Sequence, residues 1–291
     1  MLYEIANGCL RVSAESKGAQ LWSVQDAAGT QYLWQGDAKY WTDRALTIFP
    51  YVARLWQGSY QMDGQIYRMP NHGFAHQEVF KCLAQTNSKM IFELCDNENT
   101  YAQYPRRFVF RVMYELKENA LIITYEVENR DNKTMYFGLG GHPGFNVPLE
   151  KGKAFEDYQL RFHERCKPIR VGFSEDCFVD GQDKAYPLDQ DMILPLRHSL
   201  FDDDAIVLKD MAREVTLEAP GCKRSVTVSF PDMAILGIWH WPKKDAPYVC
   251  IEPWSSLPSR KGQIEAFETQ SDLIALESGK TYRNEWSIRI G

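Results

Sequence analysis

Three short stretches of this chain carry side chains that can move protons. GLGGHPGFNVP, Gly138 to Pro148, sets the imidazole of His142 among glycines and prolines in a chain with six histidines. Glycine neighbours remove side chains, so the ring can stand at the mouth of a sheet where a ligand approaches closely. A histidine satisfied by a backbone carbonyl in a glycine-rich loop would look the same. APYVCIEPWSSLP, Ala246 to Pro258, places Glu252 where an apolar strand over Tyr248 to Ile251 is expected to stop at Pro253 and Trp254. A carboxyl beside an indole is partly stripped of water, which raises its pKa and lets it act as a base near neutral pH. The plain alternative is a glutamate in an exposed turn. The third stretch, residues 49–80, has Arg54 near its start and His72 and His76 at its end. Histidines four apart suggest a metal pair on a helix. Pro70-Asn71 followed by Gly73-Phe74 argues against a helix, however, and no carboxylate falls at the H-E-x-x-H position, so no metal is expected.

The elements that must position these groups read as strands. NALIITYEVEN, residues 119–129, alternates Ile123, Tyr125 and Val127 against Thr124, Glu126 and Glu128, the period of a half-buried strand. REVTLEAPGCKRSVTVSF repeats the pattern on both sides of a Pro-Gly turn, and Asn7-Gly8 and Asp63-Gly64 are hairpin turn signals. Helical periodicity is confined to two short segments, Phe155 to Phe162 and Ser199 to Met211, which fit loop equally well. No linker, composition shift or repeat divides the chain. The expected fold class is all-β, a large antiparallel β-sandwich formed by residues 1–291 as a single domain.

Composition excludes several partners. Of 291 residues, 44% are hydrophobic and 25% charged, enough apolar material for a large core. A net charge of −6 without a basic run gives no footprint for nucleic acid. No apolar window is long enough for a membrane span and the first residues lack a signal-peptide pattern, so the reading is a cytoplasmic protein. Seven cysteines with no C-x-x-C pair fit neither a disulfide framework nor a zinc ribbon.

In order, FPYVARLWQGSY, MPNHGFAH, GGHPGFNVPL, LFDDDAIVL and CIEPW resemble the aldose 1-epimerases, or galactose mutarotase-like proteins, and among them the LacX-type branch. The resemblance spans almost the whole chain. It implies a β-supersandwich, a small-molecule sugar as substrate, no cofactor, and interconversion of the α and β anomers of a free aldose. It also implies His142 as general acid at the ring oxygen, Glu252 as general base at the C1 hydroxyl, and Arg54, His72 and an aspartate as sugar-binding groups. Among three adjacent aspartates the reading favours Asp203, with Asp202 and Asp204 as rivals. With ordinary pKa values the acid limb of the pH profile belongs to Glu252 and the alkaline limb to His142. His76 stands where relatives often have the arginine of HGFAR, which weakens the case for an anionic sugar. The alternatives are a hexose-6-phosphate 1-epimerase, with Arg106, Arg107 and Lys81 as the nearby candidates for a phosphate clamp, a glycoside hydrolase using Glu252 and Asp203, and a non-catalytic carbohydrate-binding protein.

Overall fold

A computed structural model describes residues 1–291. Turn chemistry and alternation produce the expected hairpins. Asn7-Gly8 joins strands Leu2–Ala6 and Leu10–Glu15. Asp63-Gly64, both with positive φ (51° and 73°), joins Ser59–Met62 to Gln65–Arg68, the left-handed pair that a two-residue hairpin loop demands. The Pro-Gly turn joins Glu214–Glu218 to Val226–Ser229. The one α-helix, Glu98–Gln103, starts at a capping box between Asn97 and Thr100. Both helical candidates resolve into a 3-10 turn followed by a strand: Phe155–Asp157 then Gln159–Phe162, and His198–Phe201 then Ile206–Lys209. No helix is long and apolar enough to cross a membrane.

Two antiparallel sheets dominate. The nine-stranded sheet centres on Phe108–Lys117, Ala120–Asn129 and Thr281–Ile290. The seven-stranded sheet carries the site. Its strands are β1 (Ala45–Ile48), β2 (Gly140–Asn146), β3 (Ile169–Arg170), β4 (Lys184–Ala185), β5 (Ile206–Lys209), β6 (Ile235–Trp239) and β7 (Tyr248–Trp254), in the order β4-β3-β5-β6-β7-β2-β1. Sixty-seven buried residues from Ile5 to Ile290 form one core cluster between the sheets. The middle of the seven-stranded sheet is covered on both faces, which explains the continuous apolar reading of β7.

The glycines of β2 prove to serve packing. A Cβ on Gly141 would lie 2.5 Å from Cζ2 of Trp286, a core indole of the opposite sheet, and one on Gly140 would lie 2.6 Å from the Pro253 carbonyl and 2.9 Å from Trp254. Glycine therefore lets β2 sit flush against these indoles, rather than clearing space around a ligand. Gly141→Ala should destabilise the protein by about 1–3 kcal/mol through overpacking. Urea denaturation checks this, and an unchanged midpoint would mean that the Trp286 indole yields freely.

Candidate active site

His142 and Glu252 face each other across the centre of the seven-stranded sheet. The β2–β7 ladder pairs Gly140 with Trp254 and Gly144 with Cys250, which sets His142 opposite Glu252. The ladder is broken between those two points, where Pro143 and Pro253 stand, because proline supplies no N–H. Glu252 thus lies within a strand that runs on to Trp254, and Pro253 does not end that strand as the sequence reading expected. His142 likewise belongs to a strand, paired with Leu46 of β1.

Nε2 of His142 lies 3.2 Å from Oε2 of Glu252, without hydrogen-bond alignment. Glu252 is 1% exposed and His142 7%. Neither Oε2 of Glu252 nor Nδ1 of His142 has a hydrogen-bond partner. The glutamate is therefore not in an exposed turn, and Nδ1 of His142 makes no well-formed hydrogen bond. Each such orphan costs about 1–3 kcal/mol, and groups left this way in a native fold call for a function.

Burial sets the protonation of the pair. It pushes the Glu252 carboxyl well above the usual carboxylate range, helped by the nearby charge of Asp204 and opposed by the Trp254 indole. It pulls His142 down to about 4. The resting pair is therefore neutral imidazole with carboxylic acid, the reverse of the ion pair that ordinary values imply.

His72 sits edge-on to His142, ring centroids 5.3 Å apart. Its Nδ1 accepts from the backbone N–H of Ala53 at 3.3 Å, so a neutral ring carries its proton on Nε2. Burial and the neighbouring His142 keep His72 well below its ordinary value, hence neutral. Ala53 and His72 both hold positive φ, 54° and 63°, and a second bond from the His72 N–H to the Ala53 carbonyl locks the two turns together. Strained non-glycine backbone held this way is characteristic of ligand sites.

Asp202, Asp203 and Asp204 all line the cavity, and Asp204 rather than the favoured Asp203 is the one whose side chain makes contacts within it. One Asp204 oxygen accepts from Nε1 of Trp239 at 2.7 Å, and the other accepts from the Cys177 thiol at 2.9 Å and lies 3.6 Å from Nη2 of Arg54. Asp202 and Asp203 are exposed and make no side-chain hydrogen bond. The cause is local: Asp204 leaves the 3-10 turn with φ of 74°, swinging its side chain toward β6. Three identical residues in a row give no means of ordering them before the turn is seen.

All these groups line one cavity of about 1310 Å³. Four tryptophans also line it. Trp41 lies 4.8 Å and Trp239 5.6 Å from the His142 ring, centroid to centroid. Neither was singled out from sequence: Trp41 lies in a loop with no motif, although Trp239 at the end of the ILGIW strand was visible in retrospect. Arg106, Arg107 and Lys81 do not line the cavity. Arg106 is buried on Asp63, Arg107 is bound to Asp96, and Lys81 belongs to the strand at the edge of the other sheet. A single group of three potential metal ligands exists, His142, Cys250 and Glu252.

Comparison with known proteins identifies the family and the fold. The family described as "Aldose 1-epimerase" matches residues 1–289. The plasmid-encoded protein LacX of Lactococcus lactis subsp. lactis is 32% identical over 304 residues, spanning 100% of this chain and 99% of its own. A galactose mutarotase related enzyme from Lactobacillus acidophilus superposes with a TM-score of 0.95 at 33% identity, covering 100% of this chain and 97% of that one. A galactose mutarotase-like protein from Lactobacillus casei superposes with a TM-score of 0.93 at 28% identity, both chains covered in full. The all-β sandwich is thus the galactose mutarotase-like fold, and the chain belongs to the aldose 1-epimerase family.

Proposed function

We propose that the protein, acting as one domain, interconverts the α and β anomers of a free aldose by opening and closing the pyranose ring. The observation that carries this reading is the unpartnered, water-poor His142–Glu252 contact at the floor of the cavity. Mutarotation needs a proton delivered to the ring oxygen as the C1–O5 bond breaks, and another removed from the C1 hydroxyl as C1=O forms. Both oxygens are bonded to C1, so an acid and a base in contact suit them. Rotation about C1–C2 and reversal of the steps return each proton. By the family resemblance His142 serves the ring oxygen and Glu252 the C1 hydroxyl. The ion pair this requires holds the same number of protons as the resting neutral pair, so it is reached without net proton exchange once the 3.2 Å contact aligns as a hydrogen bond.

The remaining groups hold the sugar. His72 offers an N–H, Arg54 and Asp204 offer a donor and an acceptor to hydroxyls, and indoles offer faces to C–H surfaces. A free sugar fits better than a phosphosugar: seven acidic and four basic side chains line the cavity, and Arg54 is already engaged with Asp204. We place the protein in the cytoplasm, in keeping with seven unpaired cysteines. The decisive experiment follows freshly dissolved pure anomers by polarimetry or NMR of the anomeric protons; if no aldose is turned over, the carbohydrate-binding reading replaces this one.

His142→Asn and Glu252→Gln should each lower kcat by about 100-fold or more, with KM moving much less. The rate should be bell-shaped in pH. As pH falls toward about 4, His142 gains a proton and the pair loses its base. As pH rises through the elevated Glu252 value, the shared proton leaves and the pair loses its acid. The acid limb thus belongs to His142 and the alkaline limb to Glu252, opposite to the assignment from ordinary values. Glu252→Gln should abolish the alkaline limb and keep the acid one; loss of the acid limb instead would restore the original assignment.

Asp204→Asn should raise KM about tenfold or more, the usual worth of a hydrogen bond to a charged group, while Asp203→Asn should stay within about twofold. Equal effects from the two would show that the inward-facing aspartate is misassigned. Dialysis against a chelator should not lower the activity, since side-chain proton transfer needs no metal; loss restored by added metal would sink the mechanism.

A further inference from the structure

A third ligating group stands behind the pair. Cys250 precedes Glu252 by two residues on β7, so strand alternation turns both side chains to one face. Opposite Cys250 on β2 is Gly144, which puts no side chain between the thiol and His142. One ligating atom from each of His142, Cys250 and Glu252 falls within 4.8 Å of the others, and all three residues are buried. We propose that this trio binds a thiophilic divalent cation, zinc above all, and that occupancy blocks catalysis. The second half of the proposal rests on the function proposed above; the first does not.

The geometry suits the ion. Tetrahedral zinc with nitrogen and oxygen ligands at about 2.0–2.1 Å holds those atoms roughly 3.3 Å apart. Nε2 of His142 and Oε2 of Glu252 are already 3.2 Å apart. A thiolate at about 2.3 Å closes a third corner after a shift on the order of 1 Å, and the fourth is open to the cavity. Sulfur and imidazole select against magnesium and calcium, which prefer all-oxygen shells. Oε2 of Glu252, fully buried and without a partner, lacks any other group to satisfy it. Cys250 sits among Trp34, Trp41, Leu46, Ala246 and Tyr248, an apolar surround that shields the bond from water.

The consequences are specific. The metal takes the imidazole lone pair and the carboxylate together, so neither proton of the reaction can be handled. Zinc takes a thiolate and a carboxylate, so binding expels any protons those groups hold and tightens as pH rises. Nδ1 of His142 has no partner, so the outer support that fixes ligands in permanent zinc sites is missing and the ion should be exchangeable.

The test titrates metal-free protein with cobalt, a spectroscopic stand-in for zinc. One equivalent should bind with a sulfur-to-cobalt charge-transfer band, be displaced by zinc, and lose that band in Cys250→Ser. Zinc should also inhibit aldose turnover, reversibly by chelator, and Cys250→Ser should need at least about tenfold more zinc for half-inhibition relative to its own uninhibited rate. Cobalt binding without a sulfur band, a band that persists in Cys250→Ser, or equal zinc sensitivity of the two proteins overturns the site. Should Cys250→Ser fail to fold, the wild-type spectrum and weakened cobalt binding by His142→Ala decide. The cobalt spectrum needs no sugar, so a missing metal site and a missing mutarotase activity are told apart.

Discussion

The structure turns on placing an imidazole and a carboxyl together, nearly buried, at the floor of a cavity. In water the two would form an ion pair worth little; nearly buried on the cavity face of the seven-stranded sheet, they meet a cost of separated charges that favours the neutral tautomer. That matters for a reaction in which each group must both give and take a proton in one turnover. The broken β2–β7 ladder is what leaves room for it, since an intact ladder through Pro143 and Pro253 is chemically impossible.

Holding two unsatisfied polar groups at a nearly dry cavity floor requires rigid surroundings. Trp286 reaches across from the nine-stranded sheet to Gly141, and Trp254 packs over Gly140. Trp41 and Trp239 close on the His142 ring from the cavity side. The same indoles thereby fix the ring and exclude water, so the packing that stabilises the fold also tunes the acid and base. Glycine on β2 is needed because no Cβ fits between a strand and an indole at that distance.

Much of this was legible in the sequence, for identifiable reasons. Strand alternation over 119–129 and the Asp63-Gly64 turn are local signals, and the structure follows them. His142 and Glu252 stood out because their types are rare beside glycine, proline and tryptophan. What the sequence concealed is tertiary. Pro253 reads as a strand end unless one knows that β7 stays paired with β6 through it, at Leu236. Asp203 and Asp204 differ only through one positive φ. Cys250 looks like an ordinary core thiol until the register sets it behind Glu252. Burial raises Glu252 and lowers His142 from their ordinary values, a shift that depends on tertiary packing the sequence does not show.

Asp204 ties the outer and inner parts of the site together. Its charge faces Arg54 and the Trp239 N–H on one side, and on the other it raises both Glu252 and His142. A sugar hydroxyl inserted between Arg54 and Asp204 would divert hydrogen bonds from that contact and change the field on the catalytic pair. In the proposed reaction, sugar binding and the proton affinity of the pair would then be coupled through one carboxylate. Such coupling suits a neutral polyol, which can rearrange hydrogen bonds without importing charge. An anionic substrate would add its own negative charge to an acid-rich cavity and push the pair further toward holding its proton.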